Sequence, residues 1–220
     1  MKTTLLVPTL NEVEGMKAVM PRVKKAWVDE ILVIDGGSTD GTVEYAKSKG
    51  YRVVMQKSKG ITNAYREALK VVKGDIIIAF SPDGNSMPEA IPQLIAKMKE
   101  GYDMVIASRY KKGAVSEDDD PVTAFGNWMF TKIINICFGG NYTDTLVMFR
   151  AFKKEIAKNI PIGLPRAGLE PILSIRCAKL KLNATEIPVS EPKRIGSPRK
   201  MIPILNGLDI VRLIFLELTH

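Results

Sequence analysis

Short apolar runs alternate with amphipathic stretches through the first half of the chain. Thr3 to Val7, Glu30 to Ile34, Arg52 to Met55, Asp75 to Phe80 and Met104 to Ala107 read as strands. The segments around Glu14 to Ala26, Thr42 to Lys49, Ile61 to Val72 and Pro88 to Glu100 read as helices. A run that is apolar throughout, such as Ile31 to Ile34, suits a parallel strand covered on both faces. The alternation therefore predicts an α/β fold, with a mostly parallel central sheet and helices on both faces. Beyond Tyr110 the rhythm breaks. A polar loop with Glu117, Asp118, Asp119 and Asp120 precedes an apolar helix from about Val122 to Phe138. Then come a strand near Leu146 to Phe152, a helix from Leu169 to Leu180, a strand from Ala184 to Val189, a basic, proline-containing loop from Ser190 to Lys200, and a terminal helix from about Ile204 to Leu218.

In a parallel sheet the carboxyl ends of the strands share one edge, where open α/β folds bind their ligands. Three of these ends are polar here: Pro8-Thr9-Leu10-Asn11-Glu12, Asp35-Gly36-Gly37-Ser38 and Ser81-Pro82-Asp83-Gly84-Asn85. The glycines allow tight turning and close approach of a ligand, and Asp40 or Ser38 can cap the helix that begins near Thr42. A carboxylate near Asp35 can accept from a base or a ribose. Asp83 with Asn85 can hold a divalent cation that bridges two phosphates, because such a site needs only one or two carboxylates. The 220 residues then read as a single domain, with a nucleotide-binding half to about residue 110 and an acceptor half from about 111.

Charge narrows the partners. With 32 basic and 24 acidic side chains the net charge is +8, which suits an anionic partner such as nucleic acid, acidic lipid or a nucleotide diphosphate. No aromatic-interleaved basic stretch, zinc-finger spacing or helix-turn-helix points to nucleic acid. Cys137 and Cys177 sit in apolar segments and read as buried thiols of a reducing compartment. The sole histidine, His220, sets aside a His-based triad or a His-rich metal site. Thr4 to Pro8 is too short for a signal peptide, and no stretch is long and apolar enough to span a bilayer, so a cytoplasmic protein is expected. The terminal helix places Ile204, Leu205, Leu208, Val211 and Leu213 on overlapping apolar faces. It fits either packing against the domain or a peripheral position on the cytoplasmic membrane face, with the basic loop toward anionic lipid.

Leu5 to Glu12, Ile34 to Thr42 and Lys59-Gly60 resemble the family 2 glycosyltransferases of GT-A fold, and the resemblance covers most of the chain. Ala107-Ser108-Arg109-Tyr110, Asp144 to Arg150, Glu186-Ile187-Pro188-Val189 and Arg194-Ile195-Gly196-Ser197 are similar to the dolichol-phosphate mannose synthase branch. The resemblance implies that Pro8, Thr9, Glu12 and Asp35 line a nucleoside pocket, with Lys59 and Gly60 closing it and Asn11, Gly36 and Ser81 in the same turns. It implies that Asp83, assisted by Asn85, holds Mg2+ or Mn2+. Arg109, Arg150 and Arg194 become candidates for the diphosphate and for an acceptor phosphate, since guanidinium forks bind phosphate oxygens bidentately; Lys200 would add a point charge. Two positions depart from the family pattern. Its pair of acids appears as Asp35-Gly36, and its Asp-x-Asp metal motif appears as Ser81-Pro82-Asp83.

The implied activity is transfer of a sugar, with inversion, from a nucleoside-diphosphate sugar to a polyprenyl phosphate or a glycan hydroxyl, the metal and arginines stabilising the departing diphosphate. A hydroxyl acceptor must lose a proton, whereas a phosphate is already anionic. Asp144 is the first candidate base, with the Glu117 to Asp120 loop behind it. Two other readings compete: a catalytically silent nucleotide-sugar-binding or scaffold protein, suggested by the two departures, and a sugar-1-phosphate nucleotidyltransferase. The latter wants a Gly-rich, Arg-containing loop after the first strand, which Pro8 to Gly15 lacks.

Overall fold

The chain runs β1 (Thr3–Thr9), α1 (Val13–Val19), β2 (Glu30–Asp35), α2 (Thr42–Ser48), β3 (Arg52–Met55), α3 (Ile61–Ala68), β4 (Ile76–Ala79), α4 (Ile91–Lys99), β5 (Met104–Ser108), α5 (Pro121–Phe138), β6 (Arg150–Lys153), α6 (Glu170–Lys179), β7 (Ala184–Pro188) and α7 (Pro203–Thr219). These come from a computed structural model that describes residues 1–196, 198 and 201–219. The strands form one sheet in the order β3-β2-β1-β4-β6-β5-β7. Only β6 runs against its neighbours β4 and β5; all other pairs are parallel. The expected α/β fold is therefore present, and the ends of β1, β2, β4, β5 and β7 share one edge.

The strands that looked apolar throughout are buried on both faces: Leu5 to Val7, Leu32 to Ile34, Ile76 to Phe80 and Met104 to Ala107 are essentially inaccessible. Met16, Ala46, Tyr65, Leu94, Met98, Ile172 and Leu173 bring the helices onto them. Each fully buried Leu, Ile or Met side chain contributes about 1.5–3 kcal/mol, so this layer holds the strand ends in place.

Several elements are shorter than their sequence pattern suggested. α1 gives way at Met20 to a 3-10 turn, because Pro21 cannot donate to a helical bond. The strand expected over Leu146 to Phe152 is confined to β6. The backbone N–H groups of Leu146 and Val147 bond the Asp144 carboxylate, and the Arg150 guanidinium takes the carbonyls of Thr145 and Val147. Those groups are thereby lost to a ladder.

α7 docks through Ile210, Leu213 and Ile214, and its buried Asp209 accepts from the Arg166 backbone N–H. Ile204, Leu205, Leu208 and Val211 stay exposed, as do Phe215 and Leu218. On α5, which packs beside it, Val122, Phe125, Trp128 and Ile136 are also exposed. Cys177 is buried, as expected, and its thiol is pushed up to about 12 by burial. Cys137, expected to be buried, is exposed on α5 because the helix buries a different stripe: Thr123, Asn127, Phe130, Thr131 and Ile134. Among the described residues no helix is long and apolar enough to cross a membrane.

Candidate active site

Register places Thr9 opposite Asp35, so the turns after β1 and β2 begin side by side. They are sewn together: Asn11 takes a left-handed conformation, its backbone N–H donates to Ser38 Oγ, and its side chain accepts from the Thr39 N–H. The Asp40 carboxylate accepts from the Thr42 N–H at the start of α2 and from the Val13 N–H at the start of α1. One acid thus serves two helix N-termini.

The Asp35 carboxylate is wholly used inside this turn. It accepts from Gly37 N (2.9 Å), Ser38 N (2.7 Å), Ser38 Oγ (2.6 Å) and Thr9 Oγ1 (2.8 Å), and the residue is fully buried. Asp35 therefore shapes the turn rather than facing a nucleoside, and Asn11 braces it. Gly36 and Gly37 supply the exposed wall instead.

That wall belongs to a cavity of about 880 Å³ along the shared strand edge. Pro8, Thr9, Glu12, Gly36, Lys59, Gly60, Ser81, Asp83 and Asn85 line it, so most of the expected donor-site residues converge. Two glycines permit the approach. A Cβ on Gly15 would lie 2.5 Å from the Pro82 carbonyl oxygen and 2.9 Å from Asp83 Cα, so α1 can rest on the Asp83 turn only without a side chain there. Gly60 adopts φ +100° with its Cα against Pro165.

Asp83 and Asn85 meet Arg194 from the loop after β7. Arg194 Nη1 lies 2.7 Å from Asp83 Oδ2, Nη2 donates to Asn85 Oδ1 at 2.9 Å, and Nε lies 3.7 Å from Asp118 Oδ2. Asn85 in turn donates to the Pro192 carbonyl, and Ile195 N–H to the Asp83 carbonyl. The oxygens of Asp83 and Asn85 are hard donors that fit Mg2+ or Mn2+ once diphosphate and water complete the shell. Among the described residues no group of three or more His, Cys, Asp or Glu side chains could hold a metal on protein ligands alone.

Arg109, just past β5, also reaches the cavity, but its charge is already taken. Nε and Nη2 clamp Asp144 at 2.8 and 3.1 Å, and Nη1 is 3.3 Å from Glu191 and 3.5 Å from Asp119. Burial opposes the cation, yet Asp144, Glu191 and Asp119 outweigh it and hold the guanidinium charged. Asp144 has no exposed surface and is no base for an incoming acceptor; it anchors Arg109. Arg150 is likewise not a phosphate ligand. It lies in the core, donating to the carbonyls of Thr145, Val147 and Glu170 and to Ser174 Oγ, with its pKa lowered by burial. Lys200 falls outside the described residues.

Sequence reasoning passed over Glu191, Glu170 and Arg166, all on the cavity wall. Burial raises the pKa of Glu191 against the pull of Arg109 and Ser116, and burial likewise raises that of Glu170, which accepts from Tyr65 Oη at 3.0 Å. Glu191 could have been found by applying the strand-edge rule to the end of β7 as well.

Residues 4–160 match the description Glycosyl transferase family 2. The chain is 31% identical over 219 residues to glycosyltransferase AglJ of Haloferax volcanii, covering 97% of this chain and 70% of that protein. It is 32% identical over 185 residues to a dolichol-phosphate mannosyltransferase of Pyrococcus furiosus, covering 74% of this chain but 50% of that one. In fold it is similar to glucosyl-3-phosphoglycerate synthase from Mycobacterium tuberculosis in complex with Mn2+, UDP-glucose and phosphoglyceric acid, at TM-score 0.75 and 22% identity over 99% of this chain and 80% of that one. The GT-A arrangement of the sheet, the cavity at its strand edge and the match over residues 4–160 agree: the chain belongs to glycosyl transferase family 2 and is a glycosyltransferase.

Proposed function

We propose that the chain transfers a sugar with inversion from a nucleoside diphosphate to a polyprenyl phosphate presented at a membrane surface. The observation that carries this reading is the cavity's two-part lining. One part of the lining is the polar strand edge from Pro8 to Asp83; another comes from α5 and from α7 with the residue just before it, and includes the apolar Val122, Phe130, Ile202, Pro203 and Ile210 beside Thr123, Asn127 and Asn206. The exposed faces of the same helices, with the Phe125 and Trp128 ring centroids 5.8 Å apart and the rings tilted, suit an interfacial position, and the +8 net charge suits anionic lipid. The name of the Pyrococcus relative describes transfer to a dolichol phosphate, which supports the same acceptor class.

The first half, to about residue 110, would bind the donor and the remainder the acceptor. Pro8, Thr9, Glu12 and Gly36 wall the nucleoside, with Lys59 and Gly60 at its margin. Asp83 and Asn85 would hold Mg2+ or Mn2+, supplying positive charge to the diphosphate. An acceptor phosphate oxygen attacks the anomeric carbon opposite the diphosphate; the new C–O bond forms as the old one breaks, and Lys59 and Arg194 meet the growing charge on the leaving group. No proton need be removed from a phosphate acceptor. This agrees with Asp144 and Glu191 both being spent on Arg109.

The test is transfer from GDP-, UDP- and dTDP-sugars, with Mg2+ or Mn2+, to a polyprenyl phosphate and to the matching polyprenol. Product from the phosphate alone, lost in Asp83→Ala, is expected. Transfer to the polyprenol or to a free glycan but not to the phosphate would overturn the acceptor. Co-sedimentation with anionic vesicles, weakened by salt and by Phe125→Ser with Trp128→Ser, checks the membrane contact; indifference to vesicles removes it.

A further inference from the structure

Taking the donor site as proposed above, we infer that Arg194 and the divalent cation are alternative occupants of the same two oxygens, so that cation binding unlatches the loop after β7. The guanidinium fork spans Asp83 Oδ2 at 2.7 Å and Asn85 Oδ1 at 2.9 Å, the two side-chain oxygens that would ligate the cation. A cation within bonding distance of both, about 2.0–2.1 Å for Mg2+, has no room beside a guanidinium already on them. Charge points the same way. The turn carries Ser81 where a second acid would stand, so Asp83 is its one carboxylate, and its ion pair is with Arg194, which Asp118 shares at 3.7 Å.

The latch is more than one ion pair. Ile195 N–H donates to the Asp83 carbonyl, Asn85 donates to the Pro192 carbonyl, and the Arg194 N–H donates to Asp118 Oδ1. Gly84, at φ +97°, leaves space for the Ile195 side chain, which a Cβ would approach to 3.0 Å. Two hydrogen bonds and one packed side chain therefore fasten residues 192–195 to the turn, and a third bond ties Arg194 to Asp118. Once Arg194 leaves Asp83, its fork is free for the diphosphate, which it matches in geometry. Donor and cation thus exchange one set of partners for another, instead of filling a waiting hole.

The experiment reads Mn2+ binding and loop release separately from turnover. Free Mn2+ is titrated by electron paramagnetic resonance against the wild type, Arg194→Ala, Arg194→Lys and Asp83→Ala, with circular dichroism confirming that each is folded. Arg194→Ala should bind Mn2+ at least about tenfold more tightly than the wild type, Arg194→Lys should fall between, and Asp83→Ala should lose the site. Trypsin must take up the Arg194 side chain to cut after it, so Mn2+ should accelerate cleavage there in the wild type and leave it unchanged in Asp83→Ala. Equal or weaker Mn2+ binding by Arg194→Ala, cleavage indifferent to Mn2+, or no Mn2+ binding by any of the four proteins overturns the inference. Because none of these readouts involves an acceptor, failure of the polyprenyl-phosphate reading would show separately, as absent transfer.

Discussion

Replacing Asp144 by Asn should unfold the protein more readily, not merely slow it. Asp144 has no exposed surface and gives Arg109 its two shortest contacts, 2.8 and 3.1 Å, while Glu191 and Asp119 stand 3.3 to 3.5 Å away, at the weak end of hydrogen bonding. With the amide oxygen kept at the Oδ1 position, which accepts from both Leu146 and Val147, the amide N–H groups would face Arg109 Nε and the Arg109 backbone N–H; the flipped amide would strand Leu146 and Val147 instead. Breaking a buried pair of this kind costs about 3–5 kcal/mol, which in a chain of this length lowers Tm by about 6–20 °C. Arg109→Met should cost more, since it strands three carboxylates rather than one cation. Glu191→Gln should cost less than about 1 kcal/mol, because burial already disfavours that carboxylate and the amide keeps an acceptor for Ser116 Oγ. Urea unfolding followed by circular dichroism measures all three. If Asp144→Asn lies within about 1 kcal/mol of the wild type, or Glu191→Gln costs more than it does, the ordering is wrong. Lost turnover in an Asp144→Asn protein of undiminished stability would restore Asp144 as a base.

Gly15→Ala should push the Pro82–Asp83 turn off α1, costing about 1–3 kcal/mol and weakening nucleotide-sugar binding in calorimetry while far-UV circular dichroism stays native. Glu30 is held below the usual carboxylate range: burial pushes it up, but bonds from the Lys73 N–H, Thr4 and Arg52 prevail. Its folded pKa being lowered, its stabilisation is complete above the unfolded value and drains away as pH falls through the folded one, so the stability gap between wild type and Glu30→Gln should shrink between about pH 6 and pH 3 in denaturant titrations. Cys137 should react at once with an aromatic disulfide reagent, whereas Cys177, with its thiol pushed up to about 12, should react only on unfolding.

The strand–helix alternation of the first half was readable because parallel strands covered on both faces are apolar at every position, as Leu32 to Ile34 are. The polar strand edge followed from topology, the family resemblance singled out Pro8, Thr9, Glu12, Lys59 and Asp83, and these five converge on the cavity there. What could not be read was where each charge spends itself. Asp35, Asp144 and Arg150 belong to family-like motifs, yet each side chain turns inward to bond backbone or a partner distant in sequence. Arg109 finds Glu191 82 residues away. β6 was legible as part of a strand near Leu146 to Phe152 but not as antiparallel, since a four-residue strand carries no mark of direction.

The placement of β6 also governs the order in which the sheet can be assembled during synthesis. β1, β2, β3 and β4 pair among themselves, so the first eighty or so residues can close as they emerge. β5 has only β6 and β7 as neighbours, and although it ends at Ser108 its first partner begins at Arg150. A nascent chain must therefore carry five strand positions that are buried in the folded protein, Met104 to Ser108, with neither edge paired while α5 is being made. That interval is when aggregation competes with folding, and a chaperone acting on the emerging chain would be expected to engage it there.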